Sequence, residues 1–161
     1  MASDYLGTYL NDHLAGSVVA LELLEDLEAK AEEGAKSFFS GLRTEITEDK
    51  RELESLMNRL RVRESAPRKA AAWITEKLAH LKLTLDDRTA GPLWLLEALE
   101  ALSLGIEGKL ALWRALAVVQ TRPELEGLDL ERLAERAVDQ RCRVEVARLD
   151  AAKAAFAAGR N

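Results

Sequence analysis

Two histidines and a scatter of carboxylates are the residues of this chain best suited to chemistry, and their spacing limits what that chemistry can be. His13 follows Leu10 by three residues and precedes Ser17 by four, at the inner edge of an apolar repeat. Asp49 stands three after Ile46 and four before Leu53, with Glu45 one turn earlier. Glu100 lies beside Leu96 and Ser103, with Glu107 two turns on, and Glu145 falls three after Cys142 and four before Leu149. A buried carboxylate without a partner is costly, so these groups should meet one another, an arginine or a bound ion. One imidazole among carboxylates is a reasonable donor set for a divalent metal or a small polar ligand, which makes His13, Glu45, Asp49, Glu100 and Glu145 the candidate ligands. The competing reading is a satisfied pair, His13 with Asp49 or with Glu45, that fixes helix register without chemistry.

Other chemistries find less support. The second histidine, His80, follows Glu76 by four, the spacing of a surface pair on one side of a helix. Cys142 lies between Arg141 and Arg143, but adjacent side chains on a helix diverge by about 100°, and a free cysteine most simply fills a small buried site. Being alone, it excludes an intramolecular disulfide and any zinc site built on paired cysteines, and it suits a reducing, cytoplasmic setting. No glycine-rich phosphate loop, nucleophile elbow or metal-binding histidine pair occurs. Neither catalytic residues nor an organic cofactor are expected, and a divalent metal is the one cofactor left as a candidate.

The elements that must position these residues are helices. Apolar residues make up 48 % of the 161 and charged residues 32 %, with 9 Gly and 3 Pro, a balance that favours helix over strand in a single domain, 1–161. The net charge of −5 argues against a nucleic-acid partner. Residues 1–33 hold eight acids and one base, so the first helix should carry an acidic outer face, open to a basic partner whose binding would weaken with salt. "MASDYLGTYL" lacks a basic start before an apolar core, and no apolar run approaches the roughly 20 residues of a membrane span. Neither export nor membrane insertion is expected.

Leu6, Leu10, Leu14, Ser17, Leu21, Leu24 and Ala31 predict a helix over 4–33, stopped by Gly34. Phe38, Leu42, Ile46, Asp49, Leu53, Leu56 and Leu60 predict the next over 36–61. A shorter helix over 66–83 follows, with Ser65 as cap, Pro67 in its first turn and Ile74, Leu78 and Leu81 inward. Leu95, Leu99, Leu102, Ile106, Leu110, Trp113 and Leu116 mark a third long helix over 92–121. Asp129 caps a fourth over 129–158, whose inward stripe reads Leu130, Ala134, Val138, Cys142, Glu145, Leu149, Ala152 and Phe156. Helix-interior glycines cost about 1 kcal/mol each relative to Ala, so Gly16 and at least one of Gly105 and Gly108 should face a close neighbour. Trp73, Trp94 and Trp113 read as core and end-plug residues, and "AAKAAFAAG" as a fraying end. Two tight hairpins separated by about 30 residues, enough for a crossover helix, form the ferritin-like arrangement of an all-α four-helix bundle.

The runs "YLNDHLAGSVVALELLEDLE", "LRTEITEDKRELESLMNRL" and "LWLLEALEALSLGIEGKLALWRAL" resemble a family of small uncharacterised bacterial proteins in the ferritin-like class. The resemblance implies that fold and a bacterial source, without a reaction. Di-iron members of the wider class need a Glu from two helices and a Glu-x-x-His from each of the other two. Neither His13 nor His80 lies three after a Glu, so the usual di-iron site is absent. The sequence therefore reads as a non-catalytic bundle acting through self-association or a protein partner. The alternative is a divergent relative that binds a metal or small polar ligand near His13.

Overall fold

The computed structural model describes residues 2–65, 76 and 91–157, and these are helical throughout apart from short connections. Helix α1 spans Ala2–Lys30, α2 Glu33–Arg59, α3 Gly91–Ala117 and α4 Leu130–Ala157, with a 3-10 turn at Pro123–Leu125. Among the described residues no strand occurs, and no helix is long and apolar enough to cross a membrane. Of the helix expected over 66–83 only Glu76, which is helical, is described; Trp73 and His80 lie outside the described residues.

Local chemistry sets the helix ends. Gly34 does not stop α1; the break comes earlier, at Ala31 and Glu32, and Gly34 sits inside the first turn of α2. Glu32 takes the extended N-cap conformation, and its carbonyl accepts the Ala35 N–H at 2.9 Å. At the far end of α2, Arg61 adopts a left-handed φ of 54°. The Val62 N–H reaches the Met57 carbonyl at 2.9 Å and the Arg61 N–H that of Asn58 at 3.1 Å, the paired closure of a Schellman cap. Asp129 caps α4 as expected, its Oδ1 accepting the Arg132 N–H at 3.0 Å.

Beyond the Schellman cap of α2 the chain is laid across α1. A Cβ on Gly7 would lie 3.4 Å from Val62 Cγ1, ordinary van der Waals contact, so Val62 packs directly onto α1 at this point. Asn11, 7 % exposed, donates to the Gly7 carbonyl at 2.9 Å and the Arg63 carbonyl at 3.1 Å, and accepts the Ser65 N–H at 2.8 Å. Asn11, rather than His13, is thus the buried member of "NDH", because it supplies both donors and an acceptor to a passing backbone.

The four helices occupy the corners of a square. Arg43 of α2 pairs with Glu28 of α1 at 2.7 Å, Lys30 of α1 lies over the Trp94 ring of α3 at 5.2 Å, and Glu107 and Glu100 of α3 meet Arg141 and Arg148 of α4. Glu52, Glu48 and Glu45 of α2 meet Arg132, Arg136 and Arg143 of α4 in descending against ascending order. Neighbours therefore run antiparallel, while α2 and α3, at opposite corners, run the same way.

Most predicted stripes are buried: Leu42, Ile46, Asp49, Leu53 and Leu56 on α2, and Leu99, Leu102, Ile106, Leu110, Trp113 and Leu116 on α3. α4 is the exception. Its buried residues are Leu130, Leu133, Ala137, Gln140, Val144 and Ala151, whereas Val138, Cys142, Leu149 and Phe156 are exposed. The helix carries two apolar stripes, and the inner one uses alanines and a glutamine where the outer one displays larger apolar groups. Cys142 is accordingly a surface thiol and not a buried filler.

Replacing Asn11 by Ala removes the bonds to the Ser65 N–H and the Arg63 carbonyl. Urea unfolding of Asn11→Ala should show a loss of about 0.5–1.5 kcal/mol, the net worth of hydrogen bonds whose partners can turn to water; an unchanged midpoint would refute the tethering role.

Candidate functional site

Midway along the bundle the core changes character. One apolar cluster holds Leu24, Leu27, Phe39, Leu42, Ile46, Leu99 and Ile106, and a second holds Leu10, Leu14, Leu53, Leu56, Trp113 and Leu133. Between them lie Asp49 and Gln140, with side chains almost wholly enclosed, and Lys109. Lys109 Nζ donates to Asp49 Oδ2 and to Gln140 Oε1, while Arg136 donates to Asp49 Oδ1. Gln140 Nε2 donates to Asp49 Oδ2 at 3.3 Å and to Glu45 Oε2 at 3.1 Å, and Arg143 holds Glu45 at 2.6 Å. Arg136 continues outward to Glu48 at 2.9 Å. Burial pushes the Lys109 ammonium below its ordinary pKa, with Asp49 opposing that shift.

Beside this layer a cavity of about 100 Å³ opens between α1, α2 and α3. Ile46, Leu53, Ile106, Leu112 and Trp113 form its apolar walls, with Asp49 and Lys109 at one end. Its outer edge carries the half-buried Asp12, His13, Gly16 and Ser17 of α1 and the exposed Leu104 of α3. Gly105 and Gly108 complete the α3 side. A Cβ built on Gly16, Gly105 or Gly108 meets nothing within 4 Å among the described residues, so none of the three serves the close helix contact expected of it.

His13 packs edge-on against Tyr9, ring centroids 4.6 Å apart. Burial lowers its pKa below the ordinary 6.5, against a smaller opposing pull from Asp12, so the neutral imidazole is the resting form. Among the described residues its ring nitrogens have no hydrogen-bond partner, and the buried Trp113 indole N–H has none either. Ser17 Oγ is already committed, donating to the Leu14 carbonyl at 2.6 Å.

The five candidate ligands fall into three places. His13 and Asp49 line the same cavity, but no hydrogen bond joins them, and Glu45 reaches Asp49 only through Gln140. Glu100 and Glu145 lie elsewhere, sharing Arg148 at 3.2 and 2.7 Å; its hydrogen bonds hold the Glu145 carboxyl below its usual range. Among the described residues no three His, Cys, Asp or Glu side chains converge as a metal site. Both Asp49 oxygens are taken by cations, so it is an anchor for Lys109 and Arg136 and lacks a free lone-pair face for a metal.

Sequence reasoning missed Lys109, Arg136 and Gln140, yet each left a trace. Lys109 is three after Ile106 and four before Trp113, and Gln140 is three after Ala137 and four before Val144, both on inward stripes. Arg132, Arg136, Gln140 and Arg143 also repeat at helical steps opposite Glu45, Glu48, Asp49 and Glu52. No family model matches this chain, and no curated protein or solved structure matches it.

Removing Asp49 leaves the buried Lys109 ammonium with only the Gln140 amide oxygen and Arg136 with only the exposed Glu48. Asp49→Ala should lower stability by about 3–5 kcal/mol in denaturant titration, and the double variant Asp49→Leu/Lys109→Met should recover part of that loss. Equal losses in single and double variants would mean the ions are not coupled. For His13 the folded pKa lies below the unfolded one, so as pH falls the unfolded chain takes up the proton first. The stability contributed by the neutral imidazole is full above pH about 6.5 and is lost as pH falls toward the folded value. Urea midpoints measured from pH 7.5 to 5 should decline more in the native protein than in His13→Gln; parallel curves would contradict the burial of His13.

Proposed function

We propose that this chain is a non-catalytic ferritin-like bundle that binds a small, mainly apolar ligand, of single-ring size with one oxygen-bearing group, in the cavity between α1, α2 and α3. The observation that carries the reading is the set of glycines at its edge. Gly16, Gly105 and Gly108 each weaken a helix by about 1 kcal/mol relative to Ala, and none has a neighbour within 4 Å of its missing Cβ among the described residues. Their effect is to hold open the space beside His13. An apolar cavity of roughly 150 Å³ accommodates benzene, so a cavity of about 100 Å³ with an open edge suits one small ring. The neutral His13 imidazole, whose nitrogens have no hydrogen-bond partner among the described residues, can donate to or accept from a hydroxyl on such a ring.

The shared direction of α2 and α3 supports the ferritin-like reading, since a chain joining them must travel the length of the bundle, as a crossover over 66–83 would. The lone cysteine supports a reducing compartment such as a bacterial cytoplasm. A metal centred on His13 is less well supported, because Asp49 is held by Lys109 and Arg136 and the other candidate carboxylates lie apart.

Phenol and toluene, which share a ring and differ by the hydroxyl, test the reading by titration against amide chemical shifts. Both should move the Gly16, Gly105 and Gly108 amides saturably, with phenol the tighter, and His13→Ala should abolish that difference. Gly105→Leu should fill the space and remove both responses, whereas Gly105→Ala and Gly108→Ala should each raise stability by roughly 0.5–1 kcal/mol. Shifts that fail to saturate, or that persist unchanged in Gly105→Leu, would defeat the proposal.

A further inference from the structure

Among the described residues, the second apolar stripe of α4 takes no part in the core. Val138, Cys142, Val146, Leu149 and Phe156 recur at steps of four, four, three and seven along roughly 27 Å of helix. All are exposed, Val146 to 63 % and Phe156 to 68 %. Cys142, Leu149 and Phe156 form one line at heptad spacing, and beside it Asp139, Val146 and Lys153 form a second. The second line is antisymmetric in charge: an acid seven residues before Val146 and a base seven residues after it.

We infer that α4 pairs antiparallel with α4 of a second copy of this chain, about a two-fold axis at Val146. In that arrangement Asp139 of each copy faces Lys153 of the other, and the two Val146 side chains meet at the axis. A parallel pairing would set Asp139 beside Asp139 and Lys153 beside Lys153, which is unfavourable for like charges. An isologous contact needs a surface complementary to itself under a two-fold rotation, and this charge pattern has that property. In the single chain Asp139 pairs with Arg143 at 2.7 Å and Lys153 with Asp150 at 2.9 Å. Exposed pairs of this kind contribute only a few tenths of a kcal/mol, so they yield readily to the intermolecular pairs. This contact lies on α4, which does not line the cavity, and it stands whether or not a ligand binds there.

Sedimentation equilibrium of the full chain tests the pairing. The native protein should dimerise, and Val146→Glu should weaken dimerisation roughly tenfold or more, the effect of placing two carboxylates at the axis, while its circular dichroism stays native because Val146 is not part of the core. Asp139→Lys and Lys153→Asp should each weaken the dimer roughly two- to fivefold, and the double reversal should restore it, since only antiparallel pairing brings these two positions together. A monomer at every concentration would overturn the inference and leave the stripe to a different protein. A dimer indifferent to Val146→Glu, or one in which the double reversal is no better than the singles, would overturn it as well.

Discussion

Asp49 is a carboxylate placed where four helices converge, and both its oxygens are held by cations that arrive from other helices, Lys109 from α3 and Arg136 from α4. Charges buried in this way interact strongly only when the geometry is met, so the layer rewards a single relative height of three helices and penalises a slip by one turn. A shift of α3 by about 5.4 Å would carry Lys109 away from Asp49 and Gln140, leaving the ammonium without its acceptors and Asp49 with Arg136 alone. Apolar packing above and below is more permissive, because leucine facing leucine can accommodate many registers. The ionic layer therefore supplies the specificity that the two flanking clusters lack.

That layer also explains the uneven walls of the bundle. α2 and α4 meet through long polar side chains, Glu52 with Arg132, Glu48 with Arg136 and Glu45 with Arg143, which hold their axes apart. On the opposite wall α1 and α3 face each other across the glycine-edged cavity. Between these two looser walls, α1 on α2 and α3 on α4 form the two hairpins, the first closed by Ala31 and Glu32 alone and the second by the longer segment 118–129 with its 3-10 turn.

The long-period apolar pattern made the helices legible, because burial of Leu42, Ile46, Leu53 and Leu56, or of Leu99, Leu102 and Ile106, demands a 3.6-residue repeat. Asp49 on that repeat announced a buried polar site and His13 announced its neighbourhood. The partners of Asp49 were harder to read, since Lys and Arg occur often on helices and the stripe alone does not say which cation crosses the core. On α4 the order of hydrophobicity misled: Val138, Cys142, Leu149 and Phe156 outrank Ala137, Gln140 and Ala151, yet close approach to α3 favours the small residues inside. The glycines were hard to read for a related reason, as the letter alone does not say whether a neighbour is near: a Cβ at Gly7 would touch Val62, while one at Gly105 would meet nothing within 4 Å among the described residues.

The two polar-bordered features differ in how they can change over evolutionary time. Losing Asp49 deprives Lys109 and Arg136 of their shared carboxylate, and losing either cation removes one of the two that hold Asp49, so drift through single substitutions meets a barrier at these positions, and an apolar replacement of the layer is reached only by coordinated steps. Gly16, Gly105 and Gly108 meet no such barrier, because each can become alanine in one step with a gain in helix stability. The ionic layer is thus protected by its own energetics, whereas the cavity beside it endures in a lineage only while selection acts on something that occupies it.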